Sequence, residues 1–115
     1  MQLQSTEDIK RLGTILGVWA HPDDETYAMA GILIAAIKNG QKVVCITATR
    51  GEAGIQDESR WPASQLASIR TAEQNDAFKI LGITRCHMLD YPDGRCADVD
   101  STVAVQDIAK IIHNH

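Results

Sequence analysis

The sequence predicts an α/β fold with a parallel sheet, because strand-like and helix-like segments alternate along the chain. Two runs, Thr14–Ala20 and Val43–Thr49, are apolar over a strand's length, which is typical of strands buried on both faces. Thr26–Asn39 lies between them, is long enough for several helical turns, and meets Gly40 where a left-handed helix cap would fall. The order strand, helix, strand predicts a βαβ unit with a right-handed crossover.

The remainder of the chain repeats this alternation. Arg50–Pro62 is polar and contains glycine and proline, which predicts a loop at the carboxyl end of the second strand. Ser64–Leu81 has helical periodicity, Cys86–Leu89 reads as a third strand, and Ser101 is the expected cap of a last helix. The apolar stripes expected on these two helices are Leu66, Ile69, Ala77, Ile80 and Leu81, then Val105, Ile108, Ala109 and Ile112.

These elements predict a Rossmann-like, doubly wound parallel sheet that is truncated after three strands and their helices. In the strand order 3-2-1-4-5, the last helix would cross back to a fourth strand beside the first. We therefore expect residues 1–115 to form a single domain whose architecture is cut at its midpoint. Thr14–Ala20 then becomes a long apolar edge, and such an edge predicts a homo-oligomer.

Composition argues against several classes of function. The formal net charge is -4 and no Lys/Arg cluster is present, so a nucleic-acid partner is not expected. The longest apolar stretches, Ile15–Ala20 and Ala28–Ile37, are shorter than the ~20 residues of a membrane span. Met1–Gly13 lacks the apolar core of a secretory signal, which predicts a cytoplasmic location. Three cysteines without CxxC spacing indicate reduced core thiols.

A histidine and two aspartates follow the first predicted strand, where ligands bind in open α/β sheets. His21 and Asp24 flank a turn made rigid by Pro22, so both can face one metal ion while Asp23 handles a proton. Zinc suits a mixed imidazole and carboxylate set, whereas magnesium prefers oxygen ligands. The alternative is that the acidic residues, including Glu25, only cap the following helix.

Other charged residues are expected near the same crevice. Glu73 is predicted inside the apolar stripe of the second long helix, where an ionised carboxylate needs a partner. Arg70, one turn earlier, is the expected partner. Glu52 and Asp93 lie on loops at the carboxyl ends of strands two and three, so they are expected to face the crevice that His21 faces.

The segment Ala20–Glu25, which reads Ala-His-Pro-Asp-Asp-Glu after a buried strand, resembles the signature of the LmbE-like, or PIG-L, family of zinc-dependent N-acetylglucosaminyl deacetylases. Further blocks match this family in the same order, and the similarity covers nearly the whole chain from residue 15 to residue 112. These blocks are Thr49–Gly54, Arg70–Glu73 with Leu81–Ile83, and Leu89–Gly94.

This resemblance implies hydrolysis of the acetamide of an N-acetyl sugar, with release of acetate. It implies that His21 and Asp24 ligate Zn²⁺ and that Asp23 is the general base. The substrate contacts that it implies are those of Arg70, Glu52 and Asp93. The family's third ligand is a histidine from a His-Pro-Asp-His-like segment that this sequence does not contain, so the metal site is expected to be incomplete. His113 and His115 are interpreted as a frayed end.

Two other functions remain open at this point. The pair Asp23 and Asp24 could hold magnesium for phosphoryl transfer, although His21 argues against an all-oxygen site. The chain could instead be a binding module that keeps the first half of the fold without catalysis.

Overall fold

A computed structural model describes residues 2–54 and 57–115 and confirms the predicted α/β alternation. Its strands are β1 (Ile15–Trp19), β2 (Val43–Thr47) and β3 (Arg85–Met88). Its α-helices are α1 (Asp24–Lys38), α2 (Ala63–Leu81) and α3 (Ser101–Asn114). Two 3-10 helices, Thr6–Leu12 and Cys96–Asp98, complete the regular structure of the described residues.

The strands form one parallel sheet in the order β1-β2-β3, which agrees with the first half of the predicted doubly wound order. Ile15 pairs with Val43, and Val44 pairs with Arg85. All five residues of the central strand β2 are buried, whereas β1 and β3 are edge strands. Because the strands are parallel, the loops that follow them meet at one edge of the sheet.

The hydrophobic core lies between one face of the sheet and the helices α1 and α2. Leu33 of α1 and Phe78 of α2 are 1% and 3% exposed, and Cys45 of β2 is fully buried between the strands. Cys86 and Cys96 are exposed free thiols, so the prediction of core thiols is right only for Cys45. Within the described residues, no helix combines the length and apolar character needed to cross a bilayer.

The buried face of α2 differs from the predicted apolar stripe. Gln74, Phe78 and Leu81 are buried, whereas Ile80 is 87% exposed and Glu73 lies on the surface. Gln74 can be buried because its amide donates a hydrogen bond of 2.9 Å to the Thr47 hydroxyl. The predicted stripe was wrong because it was chosen from apolar residues alone, whereas the buried face of α2 includes a polar side chain.

The helix α3 is also rotated relative to the prediction. The predicted positions Val105 and Ile112 are 66% and 55% exposed, and Ala109 is exposed as well. The half-buried positions are instead Ala104, Asp107, Ile108 and Ile111.

Polar contacts fix the rotation and the ends of α3. The Tyr91 hydroxyl donates to Asp107 Oδ2 at 2.7 Å, and this bond raises the pKa of Tyr91 to about 12. Asp100, rather than the predicted Ser101, caps the helix by accepting from the Thr102 and Val103 amides. His115 is not frayed, because its Nε2 lies 2.9 Å from Nε2 of His87.

We predict that the 115-residue chain self-associates through the β1 edge, where Val18 is 47% exposed. Unpaired backbone groups and apolar side chains on such an edge favour pairing with a second chain. Val18→Lys should shift the sedimentation profile toward monomer. Ile80→Lys, which removes an exposed apolar residue far from the edge, should leave the profile unchanged. A wild-type chain that stays monomeric at every concentration would contradict this prediction.

Candidate active site

The turn between β1 and α1 has a strained backbone at Asp23. This residue has φ +88°, in the left-handed region that costs a side-chain-bearing residue about 1 kcal/mol or more. Asp23 occupies the N-cap position, yet its side chain makes no capping hydrogen bond and is 73% exposed. Asp24 begins the helix, and its Oδ2 accepts the His21 amide at 3.0 Å. A capping hydrogen bond therefore does not account for Asp23.

His21 and Asp24 are brought together as the sequence predicts. His21 Nδ1 lies 3.7 Å from Asp24 Oδ2, and both side chains are partly open to solvent, at 42% and 38% exposure. Two ligands that each lie about 2.0–2.2 Å from one zinc ion have a separation of this size. Among the described residues, no group of three or more histidine, cysteine or acidic side chains could hold a metal ion. That His21 and Asp24 ligate a metal ion stays a prediction.

Asp93 binds the other nitrogen of the same ring. His21 Nε2 lies 2.9 Å from Asp93 Oδ1, and the Asp93 side chain is only 7% exposed. A carboxylate accepts here, so the ring donates from Nε2, and Nδ1 is the ring nitrogen that faces Asp24. Metal-ligating histidines commonly have such a carboxylate on their second nitrogen.

The environment of Asp93 keeps its carboxylate ionised. Burial by itself would raise the pKa of Asp93, but the hydrogen bond from the Ala53 amide and the charge of the His21 ring outweigh it. The pKa therefore lies below its ordinary value. The Ala53 amide donates to Asp93 Oδ2 at 2.9 Å, so both carboxylate oxygens have partners.

Glu52 joins the loops that follow β2 and β3. Its Oε1 accepts the Asp93 amide at 2.9 Å, while its Oε2 is buried without a hydrogen-bond partner among the described residues. Glu52 and Asp93 are thus in contact at the sheet edge, where both were predicted to lie. Their predicted contacts with a substrate remain predictions.

Arg70 links α2 to two loops instead of pairing with Glu73. Its Nη2 donates to the Pro22 carbonyl at 2.9 Å and to Asp23 Oδ2 at 3.2 Å, and its Nη1 donates to the Gly51 carbonyl at 3.1 Å. The predicted Arg70–Glu73 ion pair is wrong, because the buried face of α2 passes through Gln74 and leaves Glu73 at the surface. Arg70 therefore holds the strained turn at Asp23.

A cavity of about 670 Å³ opens beside Asp23 and Arg70. Four residues of the loop between β2 and α2 line it, and no sequence motif marks them. The available signal was a tryptophan, Trp61, within a polar loop. The lining residues are Asp23, Gly54, Asp57, Arg60, Trp61, Leu66, Ile69, Arg70 and Glu73.

Gly51→Ala should disturb the Arg70 contacts. Gly51 has φ +71°, and a Cβ there would overlap Arg70 Nη1. In urea denaturation, Gly51→Ala should lose more unfolding free energy than Gly40→Ala. Gly40 has φ +79°, but a Cβ there would meet open space. The control should lose about 1–2 kcal/mol from backbone strain alone. Equal losses in the two variants would show that Arg70 is not packed against Gly51.

Comparison with known proteins agrees with this geometry. The model of the PIG-L family, described as GlcNAc-PI de-N-acetylase, matches residues 16–115. In solved structures, the fold resembles N,N'-diacetylchitobiose deacetylase from Pyrococcus horikoshii, with a TM-score of 0.68 and 28% identity over 77% of this chain and 33% of that one.

Two curated relatives are similar in sequence. A 1D-myo-inositol 2-acetamido-2-deoxy-alpha-D-glucopyranoside deacetylase from Kineococcus radiotolerans is 38% identical over 81% of this chain and 27% of its own length. A probable N-acetyl-alpha-D-glucosaminyl L-malate deacetylase 2 from Bacillus anthracis is 33% identical over 69% of this chain and 36% of its own length. The chain thus spans about a third or less of these relatives. By the match of its residues 16–115, the chain belongs to the PIG-L family.

Proposed function

We propose that this chain carries part of the active site of a zinc-dependent deacetylase that hydrolyses the acetamide of an N-acetylglucosamine-type sugar. The observation that carries the proposal is the His21 ring, which lies between the carboxylates of Asp24 and Asp93. Relatives whose names specify deacetylation of such sugars support the substrate class. The cytoplasmic location inferred from the sequence stays a prediction.

His21 Nδ1 and the Asp24 carboxylate would hold the metal. Zinc bound there would polarise the amide carbonyl as a Lewis acid and make water nucleophilic near neutral pH. An imidazole ligand favours zinc over magnesium, which is the ion needed for the alternative of phosphoryl transfer. Asp93 would keep the ring in the orientation and tautomer that this set of ligands requires.

Asp23 would transfer the proton. Its exposed carboxylate is next to Asp24 in sequence and lines the cavity, so a bound amide could reach it. Arg70 Nη2 lies 3.2 Å from Asp23 Oδ2, and this ion pair holds the exposed carboxylate in place. Asp23 would take a proton from the attacking water and return it to the leaving amine, which yields acetate and a free amino sugar.

The substrate-binding roles proposed for Arg70, Glu52 and Asp93 follow the family resemblance. Arg70 lines the cavity while it holds Asp23, so it could also contact the sugar. Asp93 and Glu52 are joined to each other and to His21, which supports an indirect role in placing the ring.

The proposed site has only His21 and Asp24 as ligands, and a catalytic zinc site usually has three from the protein. We therefore expect weak zinc binding and low activity from the 115 residues alone. A chain that binds sugar without hydrolysing it would favour the binding-module alternative.

Zinc binding should separate the roles of the three residues in the turn. His21→Ala and Asp24→Asn should abolish zinc uptake, measured by competition with a chromophoric chelator. Asp23→Asn should keep the wild-type zinc affinity but lose about 100-fold or more in acetate release, because a general base contributes about 10²–10⁴ to the rate. Activity that depends on magnesium and not on zinc would contradict the proposed chemistry.

Asp93→Asn should weaken zinc binding without removing a ligand. Loss of a carboxylate behind a ligating histidine costs about 10–100-fold in metal affinity, because the ring loses its fixed orientation. Asp98→Asn is a suitable control, since that carboxylate pairs with Arg95 on the surface. If the zinc affinities of the two variants are equal, Asp93 does not position His21.

A further inference from the structure

Arg50 joins three parts of the fold near the candidate site. Its Nε donates to Asp90 Oδ1, and its Nη2 donates to Asp90 Oδ2 at 3.0 Å. Its Nη1 donates to the Thr71 hydroxyl at 2.9 Å. Arg50 lies in the loop after β2, Asp90 lies in the loop after β3, and Thr71 belongs to α2. The proposed function gives these three residues no role.

The bond between Arg50 and Asp90 has the geometry of a strong ion pair. Isolated ion pairs on a protein surface contribute little, but two parallel bonds between a guanidinium and a carboxylate fix both distance and direction. The Arg50 side chain is only 35% exposed. The Thr71 hydroxyl donates in turn to the Ala67 carbonyl at 2.8 Å, so Arg50 is anchored to the backbone of α2.

Asp90 lies at a sharp change of direction in the loop after β3. Its φ of +59° is in the left-handed region, which is unfavourable for a residue with a side chain. The amides of its neighbours, Leu89 and Tyr91, donate at 2.9 Å and 2.8 Å to the carbonyl groups of Thr47 and Ala48. The bonds from Arg50 therefore support a strained residue between two fixed points.

The same two loops meet again at Asp93. In the loop after β2, residues 52–53 bind the amide and one carboxylate oxygen of Asp93, at 2.9 Å in each case. The other carboxylate oxygen of Asp93 lies 2.9 Å from His21 Nε2. Only two residues separate Asp90 from Asp93 in the sequence, so a shift at Asp90 would move the carboxylate that orients the His21 ring.

We propose that Arg50 is a positioning residue, which fixes the orientation of the His21 ring by holding the loop that carries Asp93. Arg50 acts only through that loop, because each of its three side-chain nitrogens already binds Asp90 or Thr71. The consequence for zinc rests on the proposed function, in which His21 is a ligand. The orientation of the ring can be measured without metal.

The first test follows the His21 ring proton in the full, metal-free chain by nitrogen-15 and proton NMR. In wild type, the bond to Asp93 should slow exchange of the Nε2 proton with solvent, and its absence from His21→Ala assigns the signal. Arg50→Ala should exchange this proton at least about tenfold faster. Arg50→Lys, which keeps the charge but not the paired bonds, should lie between them. Arg95→Ala breaks a surface pair with Asp98 and should match wild type.

Zinc affinity, measured by chelator competition, gives the second test. Arg50→Ala should weaken it about tenfold, the smaller end of the loss expected when the support of a ligating histidine is disturbed. Asp90→Asn should weaken it similarly, since asparagine tolerates the left-handed backbone but cannot pair with a guanidinium. The double variant should lose no more than either single variant, because both changes remove one interaction. Urea denaturation of each variant measures how much of it is folded.

The outcomes separate this inference from the proposed function. Wild-type ring exchange and zinc affinity in folded Arg50→Ala, or additive losses in the double variant, would overturn the positioning role and leave the deacetylase proposal standing. A wild-type chain that protects the ring proton but binds no zinc would contradict the proposed metal site instead. The ring exchange of Arg50→Ala and Asp90→Asn would then still decide the positioning role.

Discussion

The His21 imidazole lies between two carboxylates that follow the two edge strands of the sheet. Asp24 belongs to the helix that follows β1, whereas Asp93 belongs to the loop that follows β3, with β2 between those strands. One nitrogen faces each carboxylate, so the orientation of the ring depends on both loops. Glu52 extends the arrangement to the loop after β2, because it accepts the Asp93 amide. The geometry of the candidate site thus depends on all three strands.

Strain in the turn is the second constraint on the site. The left-handed conformation of Asp23 is unfavourable by itself, and such conformations persist where surrounding structure holds them. Arg70 supplies this support through bonds to the Pro22 carbonyl and the Asp23 carboxylate. It reaches them only because Gly51 has no side chain in its path. An exposed carboxylate is thereby held in place by a residue from another helix.

Local sequence was sufficient for the order of elements and for the pairing of His21 with Asp24. The order of elements follows from apolar runs, and the pairing of His21 with Asp24 follows from their short spacing around Pro22. Both patterns involve residues that are close in sequence. The rotation of α2 could not be predicted, because Gln74 is buried through a hydrogen bond to Thr47, 27 residues away in the chain. The partner of Arg70 was missed for the same reason, since its contacts lie in loops distant in sequence.

The cavity beside the site illustrates a further limit. Trp61 lies in a polar loop without periodicity, and its exposure depends on how that loop folds over α2. The identity of a residue cannot indicate whether a tryptophan in such a segment faces solvent or the interior.

The bond between His21 and Asp93 joins residues that are 72 positions apart. An unfolded chain cannot hold them at 2.9 Å, so a ligand that needs the ring in this orientation binds the native state alone. Mass action then makes occupancy of the site a source of thermodynamic stability, equal to RT ln(1 + [L]/Kd). A small domain with little stability of its own would become more resistant to unfolding whenever that ligand is abundant.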